Sequence, residues 1–209
     1  MDGLLVLHKP QGPTSAGCLE KIKRTLGQKK IGHAGTLDPM AEGVLLVLLG
    51  QATKVAGYLV EGEKVYSGVL RLGMTTDTYD MEGEVVDEAP WEHLDPEAVA
   101  AGLADWCEMR VQVVPPYSAA KHKGKPLYKL SREGKETPLK TKALRVIRAE
   151  VLDMDLPRVH FRVRCGAGTY IRSLVHSLGI RLGCGAVLTS LTREYSHPFG
   201  LDEAHALER

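Results

Sequence analysis

The chain has 209 residues, 44% hydrophobic and 25% charged, with a formal net charge of +1. These are ordinary values for a soluble globular protein, with enough apolar sequence to build a core without disulfide or metal staples. They exclude a membrane-spanning helix, because the longest apolar run, Val44 to Leu49, is far too short to cross a bilayer. No secretory signal is visible in "MDGLLVLHKP", where an acidic residue stands at position 2. Cys18, Cys107, Cys165 and Cys184 are widely spaced and form no CxxC pair, and the histidines form no HExxH. Four reduced thiols in a cytoplasmic protein, with no metal, are expected.

"GLLVLHKP" reads as a strand ended by a Pro-Gln-Gly-Pro turn. "TSAGCLEKIKRTLG" reads as a helix capped by Ser15, with Leu19, Ile22 and Leu26 on one face and Gly27 at its end. A Gly-rich loop follows, then "GVLLVLLG", a strand buried on both faces. "QATKVAGYLVEG" is a short helix. "KVYSGVLRLG" and "GEVVDE" are expected to pair as a hairpin or meander across "MTTDTYDMEG". "DPEAVAAGLADW" is a helix with Asp95 as cap and Pro96 first. "RVQVV" is a strand that breaks into a Pro-rich basic loop, followed by the basic helix "PLYKLSREGKE". "KALRVIRAEVLDMD" and "RVHFRVRC" alternate as half-buried antiparallel strands. "TYIRSLVHSLGIRLG" is an amphipathic helix with Ile171, Leu174, Val175, Leu178 and Leu182 inward. "AVLTSLTREYSH" is a last strand and "LDEAHALER" a terminal helical turn. With no repeat or linker, the fold class is α+β, with mainly antiparallel pairing.

The charge is segregated. Leu72 to Met109 carries no Lys or Arg but Asp77, Asp80, Glu82, Glu84 and seven further acids. From Lys121 to Arg148 the bias reverses, and ten basic residues face only Glu133 and Glu136. Lys21, Lys23, Arg24, Lys29 and Lys30 form a second basic cluster. Two solvated faces would read this way, and so would a surface for a polyanion.

Three segments hold polar residues that a core does not explain. They are "GHAGTLDP" with His33 and Asp38, "KVY" with Tyr66, and "GAGTYIRSL" with Tyr170 and Arg172. Asp before Pro is ordinary turn chemistry. Arg172 sits between Ile171 and Leu174 on an inward helix, where a guanidinium wants a carboxylate. Were Asp38 that partner, the carboxylate would be desolvated yet kept ionised, as a nucleophile or general base is. A structural ion pair explains the same residues. Tyr66 and Tyr170 read as aromatic faces for an extruded base or as ordinary core.

"LHKPQGPTS", "GHAGTLDPMAEGVL", "KVY", "LGMTTDTYDMEG", "YSAAKHKGKPLY" and "GAGTYIRSL" stand in this order over nearly the whole chain. In them the chain resembles the TruB family of tRNA pseudouridine synthases, related to dyskerin. Ala34 stands where the family usually has Thr, and Met40 where it often has Leu. The resemblance implies a single catalytic domain over 1–209, with a central mixed sheet flanked by helices and a mobile basic "thumb" over about 117–140. Members often carry a further C-terminal RNA-binding domain of the PUA type, which is not expected within 1–209.

The implied reaction turns a T-loop uridine of tRNA, position 55, into pseudouridine, without metal or organic cofactor. Asp38 would be the catalytic carboxylate, acting on the ribose carbon, on the uracil ring or on a sugar proton. Arg172 would pair with it. Tyr66 would stack on the flipped uracil and serve in removing the C5 proton. Tyr170 and Leu191 would line the pocket, and His33 would enter the vacated T-loop. Lys121, Lys123 and Lys125 would hold RNA, and Lys9 would be structural. A cytoplasmic monomer is expected. Two other readings stand beside this one: an RNA-binding helper of tRNA folding with catalysis secondary, and an Asp-nucleophile hydrolase of small substrates.

Overall fold

A computed structural model describes residues 1–135 and 137–207; Glu136, set against the basic stretch above, and the terminal Glu208 and Arg209 lie outside the described residues. β1 (Gly3–Lys9), α1 (Ser15–Thr25), β2 (Ile31–Ala34) and β3 (Ala41–Leu49) open the chain. A 3-10 turn leads into α2 (Ala56–Glu61) and β4 (Lys64–Leu72). β5 (Met74–Thr76) and β6 (Val85–Glu88) enclose the acidic loop, followed by α3 (Pro96–Ala104) and β7 (Val111–Val113). The basic stretch holds β8 (Lys121–His122), β9 (Lys125–Pro126), α4 (Leu127–Arg132) and β10 (Thr141–Ala143). Then come β11 (Val146–Asp155), β12 (Arg158–Cys165), α5 (Ile171–Leu182), β13 (Ala186–Ser196), β14 (Phe199–Gly200) and β15 (His205–Ala206).

The fold is α+β. Its large mixed sheet has the order β11-β12-β4-β13-β3-β1-β15, with β14 on β13 and β2 on β3; β5-β6, β7-β10 and β8-β9 are separate ribbons. The chain divides into two compact units. One holds Met1–Ser67, Val163–Ala167 and Ser190–Arg209, the other Gly68–Arg162 and Gly168–Thr189.

The first unit is organised on β3, whose residues from Gly43 to Leu49 are all buried. β1 lies antiparallel along that whole stretch, from Lys9 opposite Gly43 to Gly3 opposite Leu49. β3's other edge is shared. β2 takes its second half, and β13 runs parallel to its start, with Leu191 opposite Ala41 and Arg193 opposite Gly43. A strand covered this way must be apolar throughout, which is why it reads as a continuous run rather than an alternation. The exchange of partners occurs at Gly43, where φ is +105° and an added Cβ would lie 2.3 Å from the Arg193 carbonyl oxygen. Only glycine takes that backbone without strain and allows so close an approach.

α1 is capped by Thr14, not Ser15. The Thr14 backbone is extended and its hydroxyl accepts the Gly17 N–H. Ser15 is already in the helix, and its hydroxyl is used elsewhere. Leu19 and Ile22 are buried as expected, but the helix ends at Thr25, and Leu26, its C-cap, is exposed.

In the second unit, Gly73 (φ +91°) ends β4, so β6 pairs with β5, not with β4 as the pattern implied. α3 begins with its Asp95 cap and Pro96, as expected. Gly102 on α3 leaves room for Leu178 of α5, to which an added Cβ would approach within 2.8 Å. Trp106 meets Phe161 of β12 edge to face at 5.4 Å. β12 itself alternates exposed and buried along its length. The end of the chain differs from the expected helical turn: a 3-10 turn over Leu201–Glu203 is followed by β15, parallel to β1. Among the described residues, no helix is long and apolar enough to cross a membrane.

Gly43→Ala is expected to cost at least about 3 kcal/mol, because it combines positive-φ strain with a backbone clash. Gly57→Ala, in α2 with open space around it, should instead gain roughly 0.5–1 kcal/mol. Urea unfolding of the two variants against wild type checks both signs.

Candidate active site

The loop from Gly35 to Met40 carries Asp38, and three buried side chains from three elements hold its backbone. Ser15 of α1 accepts the Leu37 N–H and donates to the Leu37 carbonyl, both at 2.9 Å. Lys9, at the end of β1 and 0% exposed, donates to the carbonyls of Pro10 (2.9 Å), Pro39 (3.3 Å) and Ala41 (2.6 Å). Arg193 of β13, 1% exposed, donates from Nη2 to Gly35 (3.0 Å), from Nη1 to Thr36 (3.5 Å) and from Nε to Val44 (2.7 Å). The Gly12 N–H reaches Pro39 and the Ala41 N–H reaches Asp38. A loop whose carbonyls are tied on both sides of one half-buried carboxylate presents that carboxylate in one place.

Tyr66 of β4 is buried in the same unit, and the charge of Arg193 acts on its phenol. Burial pushes the phenol up; Arg193 draws it down, while Cys165 and Asp38 add to the rise. Leu191 is buried two residues before Arg193, on the same face of β13. His33, half-buried in β2, has a buried Nδ1 with no hydrogen-bond partner among the described residues. Burial, and then Arg193, lower its pKa. Lys64, two residues before Tyr66, donates to the carbonyls of Val60 and Gly62 at the end of α2. Burial, then Arg193, bring it down to about 8. Asp38, Tyr66, Leu191, His33 and Lys9 therefore share one unit, with Arg193 at its electrostatic centre.

Arg172 and Tyr170 belong to the other unit. Arg172, in the first turn of α5, is buried and donates to the carbonyls of Thr78 (2.7 Å) and Tyr117 (3.0 Å). Its Nε lies 3.5 Å from the buried Asp80 carboxylate. Asp80 in turn accepts from the Thr78 hydroxyl (2.6 Å) and the Glu82 N–H (3.0 Å). The inward arginine does meet a carboxylate in its own unit, and that carboxylate is Asp80. Gln112 of β7, buried, accepts the Tyr170 N–H and donates to Gly168, so the turn before α5 is fixed. Lys121, Lys123 and Lys125 are exposed on the β8-β9 hairpin, whose turn residues Lys123 and Gly124 both have positive φ.

Asp80, Gln112 and Arg193 were not singled out as site residues by sequence, and Ser15 was expected only as a helix cap. Asp80 lies inside the quoted "TDTYD", and Arg193 shares the face of Leu191 in "LTSLTRE", where a buried strand position that is Arg was the available signal. Among the described residues, no group of His, Cys, Asp and Glu could hold a metal ion.

This sheet and its flanking elements are those of the pseudouridine synthases. The chain superposes on a solved Cbf5–Nop10–Gar1 complex with a TM-score of 0.74 and 31% identity, over 98% of this chain and 52% of that one. A solved pseudouridylate synthase, at 15% identity and TM-score 0.51, shares the fold. Residues 23–171 match the N-terminal domain of the TruB family of pseudouridylate synthases. The tRNA pseudouridine synthase B of Nitratidesulfovibrio vulgaris (Hildenborough) is 69% identical over 99% of this chain and 68% of its own length. That of Geobacter sulfurreducens is 47% identical over all of this chain and 69% of its own. The chain belongs to the TruB family, and it spans about two thirds of the length of these curated relatives.

Ser15→Ala removes the partner of both the buried Leu37 amide and the Leu37 carbonyl. It is expected to cost about 1–3 kcal/mol of stability, measured by urea unfolding, where a surface change such as Glu20→Ala should stay within about 0.5 kcal/mol.

Proposed function

We propose that this chain isomerises one uridine of the tRNA T-loop, position 55, to pseudouridine, working as a cytoplasmic monomer. The observation that carries the reading is the fixed Asp38 loop beside a buried tyrosine, in a chain of this family. The base sits inside a folded loop and must be flipped out, at a cost of a few kcal/mol. The exposed lysines of the β8-β9 hairpin offset part of that cost by attracting phosphates, as the thumb of about 117–140 would.

Asp38 then acts at the sugar or the base, with its direction set by the three anchors of its loop. Arg172 pairs with it; three donors of its guanidinium are already directed by Thr78, Tyr117 and Asp80, which sets the plane of the fork. Tyr66 stacks on the uracil and later takes the C5 proton. Tyr170 and Leu191 line the pocket, and His33 fills the space the base has left. Lys9 remains structural. The reaction is an isomerisation in which side chains alone supply the charge and the proton transfers.

Transcribed tRNA with tritium at uridine C5 tests this, because that tritium must leave when C5 becomes the glycosidic carbon. Wild type should release one equivalent per tRNA, and Asp38→Asn none. Release by neither, with RNA binding intact, would favour the folding-helper reading instead. Arg172→Ala should lower the rate at least a hundredfold with tRNA affinity within about threefold; normal turnover would end the proposed pairing with Asp38.

Replacing Lys121, Lys123 and Lys125 with Ala should weaken tRNA binding and reduce the log K against log salt slope by up to about 2. An unchanged slope in a filter-binding salt series would remove the hairpin from the RNA surface.

A further inference from the structure

The pattern of β7 runs the wrong way round. Val111 and Val113 are exposed, at 53% and 38%, while Gln112 between them is 3% exposed. A strand that served packing alone would turn its valines inward, and a shift of one residue would do it. Burying an amide is costly unless its polar atoms are bonded. Both are: Nε2 donates to the Gly168 carbonyl at 3.0 Å, and Oε1 accepts the Tyr170 N–H at 2.8 Å. Donor and acceptor belong to one planar group, so the two backbone sites are held at one spacing, with Thr169 between them. These bonds lie where α5 has no cap of its own. Its N-cap is Tyr170, in extended conformation, with no side-chain cap bond and no acidic residue in the first turn. Ser, Thr, Asp or Asn would ordinarily secure such an end.

We infer that Gln112 is the positioning residue for Tyr170: from the base of the basic segment, it sets the backbone that aims this ring at the flipped base. For its consequence this rests on the isomerase reading. The basic segment is the chain between β7 and β10, and the Val114 N–H closes its ends on the Lys140 carbonyl at 2.8 Å. Lys142 of β10 stands opposite Gln112 in the ribbon, and an added Cβ at Gly168 would meet its ammonium. Both strands of the ribbon therefore touch the turn before α5, and Gln112 is the member that bonds its backbone. Arg172, two residues beyond Tyr170, has anchors of its own in Thr78, Tyr117 and Asp80. Loss of Gln112 falls first on Tyr170. Attraction for phosphates lies with the exposed lysines, so RNA binding survives and the step after binding slows.

Amide hydrogen exchange followed by NMR, with single-turnover tritium release from C5-labelled tRNA beside it, tests this on the whole chain. Gln112→Met removes donor and acceptor at similar length. In it the Tyr170 amide should exchange at least tenfold faster, and release at saturating enzyme should slow at least tenfold, with tRNA affinity within threefold of wild type. Gln112→Glu keeps the acceptor for Tyr170 but, as a carboxylate, loses the donor to Gly168. It should hold Tyr170 exchange within threefold of wild type and recover at least threefold of the lost rate. Phe161→Leu, in the core of the same unit, should lower the urea midpoint with release within twofold of wild type, which separates positioning from stability. An unchanged Tyr170 exchange in Gln112→Met, or a rate within twofold of wild type, overturns the inference. So does a Phe161→Leu variant that loses as much rate as Gln112→Met. Should Gln112→Met fail to fold, Gln112→Asn, whose amide is one carbon too short to span both sites, decides by the same two readouts. A wild type that releases no tritium sinks the isomerase reading, and the Tyr170 exchange then decides the positioning by itself.

Discussion

The first unit depends on the immobilisation of one loop by side chains that are themselves buried. Lys9, Ser15 and Arg193 come from a strand, a helix and a second strand, and between them they occupy the carbonyls of Gly35, Thr36, Leu37, Pro39 and Ala41. A loop normally turns its backbone polar groups to water and is mobile for that reason. Here the protein supplies the partners itself. The cost is two cations, Lys9 and Arg193, that are at most 1% exposed, in a unit whose apolar cluster is Val6, Ala34, Val44, Leu46 and Leu48. Removing Lys9 or Ser15 would leave the buried carbonyl of Ala41 or Leu37 without that partner. The loop backbone is thereby anchored to β1, α1 and β13, and such anchoring suits a carboxylate that must act at a defined atom.

The same cations set the electrostatics. Dipoles and charges fixed before reaction stabilise developing charge without reorganising, and they act more strongly away from water. Arg193 is close enough to influence His33, Lys64 and Tyr66 at once, so a single residue links backbone placement to proton affinity. Gly43 makes that residue possible. Any side chain there would strike the Arg193 backbone, so the small residue on β3 and the large one on β13 are one design.

Much of this was legible in sequence, for stated reasons. β3 shows as an unbroken apolar run, β12 as an alternation, and α3 through Asp95 and Pro96, because each pattern follows from burial on two faces, on one face, or from capping. Asp38 stood out as a carboxylate ahead of an apolar run. Arg193 did not, since the charged pair Arg193 and Glu194 in "LTSLTREYS" looks like the solvent-exposed part of a strand, and the carbonyls that receive the guanidinium lie about 150 residues earlier in the chain. Ser15 and Thr14 are equal candidates as caps by type. The choice is made by Leu37, twenty-two residues away, which claims the Ser15 hydroxyl. β6 was assigned the wrong partner because a local pattern carries no record of Gly73 turning the chain after β4. The placement of Ser15 and Arg193 escaped because their partners are distant in the chain.

The second unit solves a similar problem at the cost of backbone strain. Tyr79 has φ +66°, a conformation costing a residue with a Cβ about 1–2 kcal/mol. Its ring stacks on His176 at 3.8 Å and 10°, worth roughly 0.5–1.5 kcal/mol. Its carbonyl accepts the Leu188 N–H, and the next residue but one, Met81, donates back to Leu188. Stack and bonds together offset the strain, whereas either alone would be marginal. The reversal at Tyr79 has a geometric consequence. It lets the Thr78 carbonyl and the Asp80 carboxylate, on either side of it, reach the same Arg172 guanidinium. A regular strand would send residues 78 and 80 to one face but turn the carbonyl of 78 into the ladder, away from that face. The left-handed residue is thus the local price of bringing a backbone acceptor and a carboxylate to one arginine, and the stacking on His176, one turn further along the helix that carries Arg172, together with the bonds to Leu188, keeps it there.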